Sequence, residues 1–271
     1  ATKIAVLNYH FFYDPAKEKF TDGNFTSTTT FEEQLKYLKD NNYKTLTMEE
    51  FRAWMYGEID LPARSVLITI DDGARGTGRH NGNRLIPLLE KYQAHATLFL
   101  ISGWWNKSNY TSSYLDIESH SHDMHTSDYC SGVSRGAKML CLSDEEVLAD
   151  LKTSIETVGS SKAFCYPFYA YNDRAIELVK QSGFKIAFVG EERRATRGDD
   201  KYKIPRYPIY DDITIEEFKK EKYPTLKELD ERKKGYIYYE EVYTTNDYDK
   251  WLNDNNMYIE NYGENKEGII D

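Results

Sequence analysis

Ser65-Val-Leu-Ile-Thr-Ile70 runs without a break into Asp71-Asp72-Gly73. The first six residues are β-branched or apolar on both faces, so they read as a strand with no wet side, as in a parallel sheet. Two carboxylates then stand at its C-terminal end, where parallel sheets and barrels place their sites. Neighbouring side chains on extended backbone diverge, so one Asp can hold a metal while the other faces a substrate. Gly73 permits a sharp turn away from the strand. Taken alone, Asp-Asp-Gly also fits a helix N-cap beside a solvated neighbour.

Strand and helix signals alternate on both sides of this run. Upstream, Lys3 to Leu7 is a short apolar strand ending at Asn8-Tyr9-His10. Phe31, Leu35 and Leu38 fall at helical spacing, stopped by Asn41-Asn42, and Met48 to Tyr56 forms a second helix with Thr47 as its cap. Downstream come a helix over Leu85 to Tyr92, a buried strand over Ala96 to Ile101, and a short strand over Leu115 to Glu118. Ser143-Asp-Glu-Glu146 is a capping box that opens a helix through Leu148, Leu151 and Ile155. A strand over Lys162 to Tyr166, a helix over Asp173 to Ser182 closed by Gly183, and a strand over Lys185 to Val189 complete the series. Repeated βα units of this length predict an α/β protein, either a barrel or a doubly wound sheet. After Ile213 the texture changes. Thr214-Ile-Glu-Glu217 opens a charged helix, Gly235 to Tyr243 reads as a Tyr-rich strand, and the rest has little core. The expected division is a functional domain over residues 1–220 and an acidic, Tyr-rich appendage over 221–271.

The 271 residues carry 35 Lys plus Arg against 45 Asp plus Glu, a net charge of −10. That balance argues against nucleic acid or an anionic membrane as the main partner. No run approaches the ~18 apolar residues of a membrane span. The 23 tyrosines suit a sugar-facing surface and equally a half-wet sheet. Cys130 and Cys141 could staple a loop outside the cytosol, and Cys165 reads as a small buried apolar residue. The chain begins Ala-Thr-Lys, from which we expect that a leader or anchor has been removed.

His120-Ser-His-Asp-Met-His125 holds three of the six histidines. Imidazole is the commonest protein ligand for zinc and similar metals, and a loop can converge two such rings on one ion. Two His and one carboxylate leave positions open for water and substrate, the pattern of a catalytic site. His10 ends the first strand and could reach this cluster as a general acid if the strand ends gather on one face. His80 and His95 receive structural readings. In Tyr166-Pro167-Phe168-Tyr169 the proline fixes the backbone, so the next N–H can be aimed at a developing oxyanion.

Assembled, these motifs resemble the polysaccharide deacetylases of carbohydrate esterase family 4. Thr69-Ile70-Asp71-Asp72-Gly73 is similar to that family's first motif, His120 to His125 to its histidine motif, and Tyr166-Pro167-Phe168 to its proline motif. The five-residue histidine spacing and the leading Asn-Tyr-His resemble the branch that deacetylates poly-β-1,6-N-acetylglucosamine, whose barrel is circularly permuted. The resemblance covers roughly residues 3–212 and implies a distorted (β/α) barrel. It implies that Asp72, His120 and His125 hold a divalent metal, zinc foremost. Asp71 would be the general base, His10 the acid, and the Phe168 N–H an oxyanion donor. Tyr166, Tyr169 and Arg206 would meet substrate. The implied protein is a monomeric, metal-dependent N-deacetylase of an acetylated polysaccharide, cell-surface or extracellular. Departures are Phe168 for the usual Tyr, Tyr169 for the usual Gly, and Ala74-Arg75-Gly76 after the first motif. Arg206, in Ile-Pro-Arg-Tyr-Pro, resembles a family arginine near the base and is alternatively a surface salt bridge, and His122 has no assigned role. The competing readings are a non-catalytic carbohydrate-binding protein on the same scaffold and another metal hydrolase such as a phosphoesterase.

Overall fold

A computed structural model describes residues 1–19, 23–73, 81–133, 136–210, 213–219 and 269–270. The chain divides into two units, Ala1–Ile215 and Glu216–Asp271. Most of the second unit, including the expected strand over Gly235 to Tyr243, lies outside the described residues, as do Ala74-Arg75-Gly76 and His80.

The first unit runs β1 (Lys3–Tyr9), β2 (Phe11–Tyr13), β3 (Phe25–Ser27), α1 (Thr28–Asp40), β4 (Lys44–Thr45), α2 (Met48–Met55), β5 (Ser65–Asp72), α3 (Asn81–Tyr92), β6 (Ala96–Leu100) and β7 (Leu115–Ser119). It continues with α4 (Asp144–Val158), β8 (Ala163–Cys165), α5 (Asp173–Gln181), β9 (Ile186–Glu191), β10 (Ala195–Thr196) and β11 (Ile204–Pro208). A short helix, α6 (Ile215–Lys219), straddles the division between the units. The apolar runs read from sequence all form strands. Thr47 and Ser143 each make the reciprocal capping box that their Glu partners allow.

Seven strands close into a parallel barrel in the order β1-β5-β6-β7-β8-β9-β11 and back to β1. Of the two sequence alternatives, the barrel is therefore the fold. β4 pairs with Ser65 and Val66 at the start of β5, and β10 lies antiparallel against the start of β1. The short parallel pair β2–β3, together with β4, β10 and β11, has no counterpart among the sequence-read elements.

Side chains alternate in and out along each barrel strand, which sorts them into two cores. Ile4, Val6, Leu67, Phe99, Ala163, Cys165, Ile186, Phe188 and Ile204 share one cluster with Met48, Phe51, Trp54 and Met55 of α2. Their neighbours of opposite parity, Phe164, Tyr166, Ala187 and Val189, pack outward against α4 and α5. Continued along the strands, the inward parity brings Asn8, Thr69, Asp71 and Arg206 together above the apolar layer. The barrel interior is thus apolar for most of its depth and polar at the C-terminal strand ends.

Candidate active site

At the end of β5 the backbone turns left-handed, with φ of 82° at Asp72 and 98° at Gly73. A Cβ on Gly73 would lie 2.5 Å from Leu100 Cδ1, so glycine is required there twice over. Of the nine described non-glycine residues with positive φ, Asp72, Ser121, Phe168 and Tyr169 all sit at this end of the barrel. Strain of about 1–2 kcal/mol each is tolerated where surrounding structure over-determines the conformation.

His120 follows β7 and is buried. Its Nδ1 lies 2.7 Å from the Cys165 carbonyl oxygen, which can only accept, so Nδ1 carries a proton and Nε2 faces the cleft. Nε2 of His120 is 3.2 Å and Nε2 of His125 is 3.1 Å from Asp72 Oδ1. That buried oxygen nevertheless receives no directed hydrogen bond. The three atoms converge on a common point instead of pairing, all within 4.8 Å of one another, which is the donor set of a cation site. Burial works against the charge on Asp72, but the two imidazoles hold its carboxyl well below the usual carboxylate range. Asp71, His120 and Cys165 also cluster within reach of one another. Arg206 Nη2 lies 2.9 Å from Cys165 Sγ, so a permanent cation already stands there and opposes a second ion.

Asp71 points into the barrel, where Arg206 donates to both carboxylate oxygens, at 2.8 and 2.9 Å. Burial raises the Asp71 pKa, and the guanidinium outweighs it, leaving the carboxyl below its ordinary value. Arg206 is 0% exposed. Its other N–H groups go to Val189 O, Asn8 Oδ1 and Thr69 Oγ1. This corrects two expectations. Arg206 stands beside Asp71, the position of the family arginine it resembles, and is neither a surface salt bridge nor a substrate contact, because inward parity on β11 puts it behind Asp71 with its donors engaged. His10 lies on the open side, Nε2 3.9 Å from Asp71 Oδ2. Burial lowers its pKa, with the Asp72 and Asp71 charges opposing that shift.

A cleft of about 280 Å³ is bordered by His10, Asp71, Asp72, His120, His125, Tyr166, Phe168 and Tyr169. Every expected site residue except Arg206 is brought to it. Tyr166 borders the cleft yet is itself fully buried, with its hydroxyl donating to Tyr202 O at 3.0 Å. Phe168 stacks obliquely on His125 with ring centroids 4.3 Å apart. The Tyr169 hydroxyl accepts from Asn8 Nδ2, and its ring covers the Arg206 guanidinium at 5.4 Å. His122 turns away, Nδ1 2.9 Å from Ser102 Oγ.

Three participants escape the sequence reading. Asn8 bridges Arg206 and Tyr169, and only its nearness to His10 hinted at a role. Cys165 is buried as expected but polar in its contacts, Sγ lying 3.5 Å from Asp71 Oδ2. Asp150 on α4 accepts the backbone N–H groups of His122 and Asp123, both at 2.8 Å, and so pins the turn between the two cleft histidines. Cys130 and Cys141 form the disulfide that had been an open alternative.

Comparison with known proteins converges on the same centre. Residues 58–187 match the family model described as polysaccharide deacetylase. A poly-beta-1,6-N-acetyl-D-glucosamine N-deacetylase of Staphylococcus aureus is 30% identical over 225 residues, spanning 76% of this chain and 74% of its own length. A protein of the same name from Staphylococcus epidermidis is 28% identical over 204 residues, 67% of each chain. Among solved structures, the Streptococcus pyogenes deacetylase PplD in complex with acetate superposes with a TM-score of 0.63 at 20% identity, covering 79% of this chain and 95% of that one. IcaB from Ammonifex degensii gives 0.63 at 22% identity, covering 80% and 94%. These last two show the fold. With the Staphylococcus aureus relative matched over three quarters of both chains and the Asp-His-His group closed beside Asp71, this chain belongs to the polysaccharide deacetylase family, hydrolases of N-acetyl amide bonds.

Proposed function

We propose that the protein removes N-acetyl groups from a β-linked N-acetylglucosamine polysaccharide outside the cell, with poly-β-1,6-N-acetylglucosamine as the first candidate. The relatives that cover most of the chain carry that substrate in their names. The observation that carries the reading is the convergence of Asp72, His120 and His125 on one point beside an arginine-held Asp71.

An acetamide is a poor electrophile and its amine a poor leaving group, so the reaction needs electrophilic activation, a base and an acid. A divalent cation, zinc in our reading, would be held by Asp72, His120 and His125 and would polarise the carbonyl and acidify a water. Asp71, kept ionised by Arg206, takes the proton of the attacking water. His10, 3.9 Å from Asp71 and on the cleft side, delivers a proton to the departing sugar nitrogen. Burial pushes the His10 pKa down, and the Asp72 and Asp71 carboxylates beside it favour the protonated form that the acid role needs. The left-handed turn at Phe168, with φ of 58°, presents the backbone at the cleft where the oxyanion develops.

Acetate release from β-1,6-linked N-acetylglucosamine oligomers tests the reading. Activity should vanish on chelation, return with added zinc, and fall about 10²–10⁴-fold in Asp71→Asn, the range of a lost general base. Full activity in Asp71→Asn would remove Asp71 from the mechanism.

A further inference from the structure

Beyond the cleft, the outer side of His125 carries a second set of groups that the chemistry leaves unused. Trp104 is 44% exposed, and its ring stands edge-on to His125 with centroids 6.0 Å apart. An exposed indole offers a large apolar face with a polar edge, which suits a contact surface. This ring is also held still. Its Nε1 donates to Asp123 Oδ1 at 2.7 Å, and the Asp123 backbone N–H is tied to Asp150. On the far side, Asp123 Oδ2 pairs with Lys138 Nζ at 3.6 Å. Lys138 Nζ in turn sits 5.3 Å over the ring of Tyr129, which is 54% exposed. The Cys130–Cys141 disulfide begins one residue after Tyr129 and ties down the segment that carries both Tyr129 and Lys138. The result is a continuous ledge of two exposed aromatic rings with a carboxylate and an ammonium between them, starting beside the cleft.

We infer that this ledge, Trp104 and Tyr129 with Asp123 and Lys138, is a subsite for sugar residues of the same glycan chain that flank the one being deacetylated. The inference rests on the function proposed above and names where the polymer lies. Pyranose rings offer a flat C–H face that packs on indole and phenol rings, while their hydroxyl and amide rims need hydrogen-bonding partners. Asp123 and Lys138 supply an acceptor and a donor between the two platforms. Because the Trp104 ring is held by Asp123 before the ligand arrives, little of its rotamer entropy is lost on binding.

Calorimetric binding and turnover of a β-1,6-linked N-acetylglucosamine pentamer test the subsite, with 4-nitrophenyl acetate as a small probe too short to reach it. Trp104→Ala should weaken pentamer binding and raise its KM about tenfold, as for truncated aromatic anchors. Ester hydrolysis should be unchanged, Trp104→Phe should recover most of the loss, and Tyr129→Ala should cost a smaller factor. Unchanged pentamer binding in Trp104→Ala overturns the inference. So does an equal loss on pentamer and ester, since Trp104 would then only buttress His125. The two readings fail separately. Binding that depends on Trp104 without acetate release keeps the ledge and defeats the deacetylase, and acetate release indifferent to Trp104 does the reverse.

Discussion

Arg206 and Asp71 form a buried ion pair whose two parallel N–H···O bonds need the planar guanidinium fork. Such a pair contributes little net stability when compared with apolar side chains, because both charges are desolvated. Removing one partner is different, since the other charge is stranded. Asp71 is 1% exposed, Cys165 is neutral, and His10 stands 3.9 Å away, beyond hydrogen-bond distance, so no second donor fork replaces the arginine. Arg206→Met should therefore cost about 3–5 kcal/mol in urea unfolding. It should also raise the Asp71 pKa toward the protonated form and abolish acetate release. Arg206→Lys, which keeps the charge and loses the fork, should fall between. A Met variant as stable as the parent would mean that Asp71 is already neutral in the folded protein.

β7 and β8 are joined at the single register pair Ser119↔Phe164, and a carboxylate reinforces the seam. Glu118 accepts from Ser160 Oγ at 2.9 and 2.8 Å and from Ala163 N at 3.2 Å. Burial dominates these bonds and pushes its pKa from 4.5 up to about 7. With the folded value above the unfolded one, the native state binds the extra proton between these limits. Stability is then fully present below pH 4.5 and declines as pH rises through 7, by about 3 kcal/mol in all. Glu118→Gln keeps an acceptor and removes the charge. It should be about 1–3 kcal/mol more stable than the parent at pH 8, indistinguishable at pH 4, and flatter between, as followed by denaturant midpoints. How well an element reads from sequence follows from what holds it. β5, β6 and α4 advertise themselves by apolar content or caps, and the strand-end rule then places Asp71, Asp72, His120 and His10 together. β4 and β10 have two residues each, while β11 is Ile-Pro-Arg-Tyr-Pro with a bulge between Ile204 and Arg206. No local signal marks such segments; barrel closure does. The parity that hides Arg206 exists only once β11 is in register. Asp150 is likewise silent, because its partners are backbone N–H groups from a distant turn.

β5, β6 and β7 are successive neighbours in the barrel, and their register sets Asp72 of β5 beside Leu100 and Ser119, bringing it to the two histidines beyond β7. The cation site is therefore a property of the paired strands and not of any one segment, absent from the unfolded chain, so metal affinity is linked to folding. A cation binding only the native state adds RT ln(1 + [L]/Kd), about 2.7 kcal/mol at one hundred times Kd. For a domain of this size that corresponds to a rise in Tm of about 5–10 °C. Zinc titration followed by thermal unfolding should show this rise, reversed by chelator, independently of any substrate. Asp72→Asn should erase it, because the converging oxygen loses its charge while the two imidazoles remain. His122→Ala should keep it in full, since that ring faces Ser102 and not the cleft. Should His122→Ala lose the zinc-dependent rise while Asp72→Asn retains it, the ligands would lie elsewhere and Asp71 would have no activated water beside it.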